Sequence, residues 1–218
     1  MFDISSLYDF LIRIPIVLIA LTVHEVAHGY VAYKLGDPTA KALGRLSLNP
    51  IRHLDPIGAI CMLLFHFGWA RPVPVNARHF RNPRRDMALT ALAGPTSNFC
   101  MAILALIIAN YITLIPIQPD TVFGRIIILF YYFFEMFASM NLGLAIFNLI
   151  PVPPLDGSRI FLIFLPDRLY FGIMKYERYI SFALLALLWF GVLNYPLSYV
   201  FNRVYYGIDY LISFLPFL

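Results

Sequence analysis

Two stretches of the chain, Met87 to Pro119 and Tyr179 to Asn202, contain no Asp, Glu, Lys, Arg or His. Each exceeds the ~20 residues a helix needs to cross the hydrocarbon core of a bilayer. A third run, Ile126 to Leu155, is interrupted only by Glu135. The segment from about Leu7 to Leu35 is also apolar enough to span, although it carries Arg13 and a polar cluster at 24–28. It is too long and too polar for a cleaved signal peptide. The stretch from Leu54 to Asn76 contains the apolar run IGAICMLLFHFGW, too short to span, which fits a re-entrant segment or a membrane-edge hairpin. The tail from Arg203 to Leu218 fits a half-span, an interfacial helix or a further crossing. The expected fold is therefore an all-α polytopic membrane protein with four to six transmembrane helices and a re-entrant or β-hairpin membrane-edge segment. It reads as a single integral membrane domain over residues 1–218, with its core motifs in 7–165 and C-terminal membrane segments in 178–218.

Composition supports this reading. The chain is 61% hydrophobic and 13% charged, against roughly a quarter charged in soluble domains. A net charge of +4 could suggest nucleic acid, but in a membrane protein the placement of Lys and Arg carries the information. Nine of the 16 basic residues, from Lys34 to Arg85, lie between the first two apolar segments and put that stretch in the cytoplasm. The connection from Pro116 to Thr121 has none, and the next, Pro151 to Arg178, carries Arg159, Arg168, Lys175 and Arg178. The alternation predicts an N-terminus outside the cell. Cys61 and Cys100 stand in apolar surroundings and read as buried thiols.

The candidate chemistry begins at His24, Glu25 and His28. Residues four apart project from one face of a helix, so both imidazoles can bind one zinc ion, with Glu25 beside them as a base. Zinc leaves a coordination position for water and lowers its pKa to roughly 7, and Glu25 would take the proton and pass it to the leaving amine. Two histidines hydrogen-bonded within a bundle are the blander reading, but three ionisable groups in one transmembrane segment are costly without a use.

Zinc needs a third protein ligand. The HExxHxxGxxH spacing fails, because Val31 and Lys34 occupy those positions, and neither Glu135 nor Glu177 begins an ExxxD motif. Two acids compete. Glu135 sits mid-span, and depth alone does not exclude it. Asp156 follows Pro151, Pro153 and Pro154, which break the helix and leave a carboxylate on irregular backbone at the cytoplasmic side. The charge alternation brings His28 and Asp156 towards the same face and favours Asp156.

The runs HEVAHGY, AGPTSNF (Ala93 to Phe99) and NLIPVPPLDG (Asn148 to Gly157) together resemble the three signatures of the site-2 protease family of intramembrane zinc metalloproteases, in its minimal branch without PDZ or C-terminal regulatory domains. The resemblance implies one zinc held by His24, His28 and Asp156, Glu25 as catalytic base, and a transmembrane helix as substrate. Asn148 matches the Asn of the third signature and is a candidate for contacting bound peptide or the developing oxyanion. Asn98 is a second such candidate, with interhelical hydrogen bonding as its alternative. GWARPVPVN, Gly68 to Asn76, also resembles a family feature. It reads either as an edge strand that pairs with an unwound substrate or as a proline-set turn. His53, His66 and His79 lack ligand spacing and read as loop or packing residues, and Tyr131, Tyr132, Phe133 and Phe134 as lipid-facing or core groups.

The expected activity is zinc-dependent endopeptidase cleavage of transmembrane segments, by a multi-pass protein of a prokaryotic plasma membrane whose active site lies towards the cytoplasm. The expected partners are a membrane-protein substrate and lipid, with no nucleic acid; the sequence leaves the oligomeric state open. Two readings from other classes are a membrane metal-ion carrier, which calls for inverted repeats that the chain does not display, and an inactive helix-binding pseudoprotease, against which the complete ligand-and-base set argues.

Overall fold

A computed structural model describes the backbone of residues 4–55 and 71–214, and the side chains of these residues other than 4–10, 167 and 171. Eight α-helices follow one another among them: α1 Ile4–Lys34, α2 Thr39–Ala42, α3 Pro83–Thr113, α4 Val122–Asn148, α5 Asp156–Phe161, α6 Asp167–Lys175, α7 Glu177–Trp189 and α8 Asn194–Ile212. The described residues contain no β-strand. This is a polytopic helical membrane fold. The expected re-entrant or hairpin segment lies largely outside the described residues, as do Cys61 and His66.

Among the described residues three helices are long and apolar enough to cross a membrane: Leu11–Lys34 within α1, Pro83–Thr113 and Val122–Asn148. The fourth expected crossing is broken. The uncharged run from Tyr179 to Asn202 forms α7 and α8, which meet at 81°. The cause is local: Gly191 has φ +70°, and the Gly191 and Val192 amides donate back to the carbonyls of Leu188 and Leu187. A glycine in that left-handed conformation terminates a helix whatever the hydropathy on either side. Counted as one span, the bent pair brings the total to four, the low end of the expected range. The tail from Arg203 is not a separate element, because α8 runs continuously through it to Ile212.

The bundle is organised around α3, which packs on α1, α4, α5 and α8. Its inward stripe is mostly small: Ala102 and Ala105 pack with Leu106 against Ala138 and Leu142 of α4, Ala91 and Ala109 are also buried, and α1 contributes the buried Ile16 and Ala20. Between lipid-immersed helices there is no water to expel, so close backbone approach through small residues supplies the packing attraction. Ile208 and Ile212 of α8 complete this cluster. Cys100 is exposed rather than buried, because a residue two beyond the buried Asn98 lies about 200° round the helix.

Candidate metal centre

Local sequence sets two facing stripes. On α1, His24 and His28 share one face. On α3, Thr90, Gly94 and Asn98 repeat the same four-residue step and so share another. His24 Nδ1 lies 2.8 Å from Asn98 Oδ1, and His28 Nδ1 lies 2.7 Å from the Thr90 carbonyl oxygen. Both partners are acceptors, so each Nδ1 carries the proton and each Nε2 presents a lone pair. Gly94 makes the approach possible: a Cβ there would stand 2.4 Å from His28 Nε2 and 2.6 Å from His24 Nε2. The Asn98 amide nitrogen donates in turn to Asn141 Oδ1 (3.1 Å), whose own amide donates to the Phe137 carbonyl (2.8 Å). A chain of hydrogen bonds thus runs from α4 through α3 to the imidazole of His24.

The third group arrives from the proline-rich turn. Leu149 to Leu155 leaves the helix, and α5 starts at Asp156. Asp156 Oδ2 lies 3.2 Å from His24 Nε2 and 3.3 Å from His28 Nε2, while the two Nε2 atoms are 3.0 Å apart. Arg84, in the first turn of α3, donates to the carbonyls of Ile163 (3.0 Å) and Leu165 and stacks on Tyr170, gripping the far end of the stretch that Asp156 begins. Two lone pairs and a carboxylate converging on one point repel unless a cation lies between them. His24, His28 and Asp156 each offer a ligand atom, all within 4.8 Å of one another, and two imidazoles with one carboxylate suit zinc, with a position left for water. No other group of three such side chains converges among the described residues.

The centre opens into a cavity of about 430 Å³. One wall is Glu25, whose Oε2 accepts from the Val73 N–H at 2.7 Å. Val73 belongs to the segment 71–76, which is neither helix nor strand and also contributes Pro72 and Val75 to the lining. Asn148 and Arg159 also line the cavity. The Asn148 amide nitrogen uses one hydrogen on the Leu144 carbonyl (3.0 Å) and retains a second. Arg159 is held at 3.3 Å from Glu177 of α7.

Of the residues singled out from sequence, His24, Glu25, His28, Asp156 and Asn148 thus meet in one cavity. Asn98 does not line it; fully buried, it touches His24. Glu135 is elsewhere, accepting from the Tyr205 hydroxyl at 2.6 Å. His53 and His79 are loop residues, bonded to the Ser47 carbonyl and to Asp37. Asn141 and Thr90 went unnoticed. An Asn in an otherwise apolar span was the available signal for the first, whereas Thr90 acts through its carbonyl, which no side-chain pattern encodes.

The sequence pattern of peptidase family M50 matches residues 12–190. Among curated proteins, the chain is similar to "Putative zinc metalloprotease YwhC" of Bacillus subtilis, 46% identical over 143 residues, covering 66% of this chain and 64% of that protein. "Putative zinc metalloprotease Rip2" of Mycobacterium tuberculosis is 30% identical over 146 residues (64% of this chain, 52% of the relative). "Zinc metalloprotease MJ0392" of Methanocaldococcus jannaschii is 28% identical over 201 residues (89% of this chain, 47% of the relative). The matches thus span between about half and two thirds of these relatives' lengths. No solved structure matches the chain. With the family pattern covering most of its length and the same three motifs meeting at one centre, this chain belongs to peptidase family M50, the site-2 protease family.

Proposed function

We propose that this chain is a zinc endopeptidase that cuts transmembrane segments of other proteins inside the bilayer, working as one membrane domain over residues 1–218 with one zinc ion. The observation that carries the reading is the convergence of His24 Nε2, His28 Nε2 and Asp156 Oδ2 beside Glu25, in a cavity among helices long enough to span.

His24, His28 and Asp156 would hold the ion, with the Asn98 and Thr90 oxygens fixing each ring's tautomer and tilt. Zinc bound there supplies Lewis acidity to a water molecule and to the scissile carbonyl. Glu25 would accept a proton at its carboxylate and pass it to the departing amine. Its Oε2 is occupied by the Val73 N–H, which leaves Oε1 for the proton. Asn148 offers its second amide hydrogen to the substrate carbonyl as negative charge grows on it. Asn98, buried behind His24, serves by orienting that ligand. A substrate helix keeps its carbonyls in its own hydrogen bonds, so it must open before it is cut. The segment 71–76 is a template on which the opened strand can pair. The basic stretch between α1 and α3 and the basic turn holding Asp156 support a site that opens to the cytoplasm of a prokaryotic cell, with the N-terminus outside.

The test is cleavage of a tagged single-span protein by the wild type, Glu25→Gln, Asp156→Ala and Glu135→Ala, with zinc measured in each. Glu25→Gln should keep zinc and lose cleavage, Asp156→Ala should lose both, and Glu135→Ala should keep both. Cleavage surviving in Glu25→Gln would overturn the mechanism. Zinc lost in Glu135→Ala but kept in Asp156→Ala would overturn the ligand set. Zinc bound and transported without any cleavage would mark a carrier.

A further inference from the structure

Two buried charges outside the metal centre hold the segment that touches Glu25. α1 ends in a turn whose Gly36 has φ +109°. The Gly36 amide donates to the Tyr33 carbonyl (3.2 Å) and the Asp37 amide to the Ala32 carbonyl (2.9 Å). This paired capping ties the residue after the glycine rigidly to the helix, and here that residue is Asp37. Its side chain has no exposed surface. Oδ2 accepts from the Asn76 N–H at 2.6 Å, and Oδ1 accepts from the Thr39 N–H (3.0 Å), the Thr39 hydroxyl and His79 Nδ1 (2.8 Å). The C-terminal end of segment 71–76 is thereby fastened to the helix that carries Glu25.

The other end is fastened by the opposite charge. Arg45, 8% exposed, directs one guanidinium nitrogen at the carbonyls of Arg71 and Pro72 (3.3 Å to the latter), while the Arg71 N–H donates to the His53 carbonyl at 2.8 Å. Pro72 and Pro74 have no N–H, so the segment cannot make up for a lost anchor with ladder bonds of its own. Between the anchors the Val73 N–H meets Glu25. Burying a carboxylate and a guanidinium is costly unless each finds partners; Asp37 gives Oδ2 to the Asn76 N–H and Arg45 gives one nitrogen to the Arg71 and Pro72 carbonyls, while the buried Nε of Arg45 has no partner.

We propose that Asp37 and Arg45 are positioning residues for the peptidase reaction, pinning the two ends of segment 71–76 so that the Val73 N–H holds the Glu25 carboxylate in register with the metal centre. The role rests on the reading of Glu25 as the base. Losing either anchor lets Val73 drift and Glu25 turn, while His24, His28 and Asp156, held by α3 and the proline turn, stay in place. The effect therefore falls on kcat.

The experiment compares wild type, Asp37→Asn, Asp37→Ala, Arg45→Lys and Arg45→Met as full-length chains in detergent. It records kcat and KM on the tagged single-span substrate, zinc per chain, and amide hydrogen exchange by mass spectrometry. Asp37→Ala and Arg45→Met should lower kcat by about tenfold or more, the scale of an ångström-sized misplacement, with KM and zinc within about twofold of wild type. Exchange should quicken in peptides covering 71–76 and stay at the wild-type rate in α3 and α4. Asp37→Asn retains one acceptor oxygen and Arg45→Lys one charge, so each should recover part of the loss. A kcat at or above wild type in both Ala and Met variants, unchanged exchange in 71–76, or zinc and α3/α4 protection lost together would each overturn the proposal. If the wild type itself cleaves nothing, the peptidase reading fails separately, and the exchange comparison still decides whether the two charges pin the segment.

Discussion

At the scale of single residues the centre depends on contacts that surround the ligands. Asn98 fixes His24, and Asn141 fixes Asn98. Removing a hydrogen-bond partner of a ligating histidine typically costs about 10–100-fold in metal affinity. Asn98→Ala should therefore weaken zinc binding by about that factor in a chelator-competition titration. Asn141→Ala, one link further out, should weaken it less, because a hydrogen bond between membrane helices contributes about 0.6 kcal/mol on average. Equal losses in the two variants would mean that the chain does not act through His24. Gly94→Ala is the more severe change: the added methyl lands within 2.6 Å of both Nε2 atoms, so the rings must part, and zinc content and cleavage should fall together.

At the scale of elements the termini and turns do most of the positioning. The proline turn delivers Asp156, and the capped end of α1 delivers Asp37. Burial raises the Asp37 pKa, but its bonds to Thr39, Asn76 and His79 prevail and set it below its ordinary 3.8. A carboxyl depressed on folding contributes stability that is complete above its unfolded value and disappears as pH falls through the folded one. The melting temperature of the wild type should exceed that of Asp37→Asn at about pH 5, and the gap should narrow towards about pH 3; a gap that widened on acidification would contradict this. These elements were unevenly legible in the sequence. The HEVAH spacing is read within one helical turn, and the prolines before Asp156 announce a break, so both could be located in advance. The pairing of Asn98 with Asn141 joins residues 43 apart and depends on how α3 rotates against α4, which neither helix encodes alone. Asp37 and Arg45 stand in a polar stretch that looks solvated; only the fold shows that they are buried. The break at Gly191 was hidden for the opposite reason, since unbroken hydropathy on either side masks a change of direction made by a single φ angle.

At the scale of the whole molecule, the helices place a polar centre within a bundle whose outer surface is apolar, so on the proposed function a substrate helix must open to reach it. Replacing two leucines near the cut by glycine removes roughly 1.5–2 kcal/mol of helix propensity, which corresponds to a rate gain of roughly ten- to thirtyfold. A series of single-span substrates differing only at those positions should show that gain in kcat/KM, and a flat series would mean that helix opening does not limit the reaction. The most direct test is to incubate the purified chain with a single-span protein in liposomes and map the product termini by mass spectrometry, alongside Glu25→Gln. Termini inside the hydrophobic span, present with the wild type and absent with Glu25→Gln, are the expected result; termini confined to the soluble flanks, or the same termini with both enzymes, would contradict intramembrane cleavage at this centre.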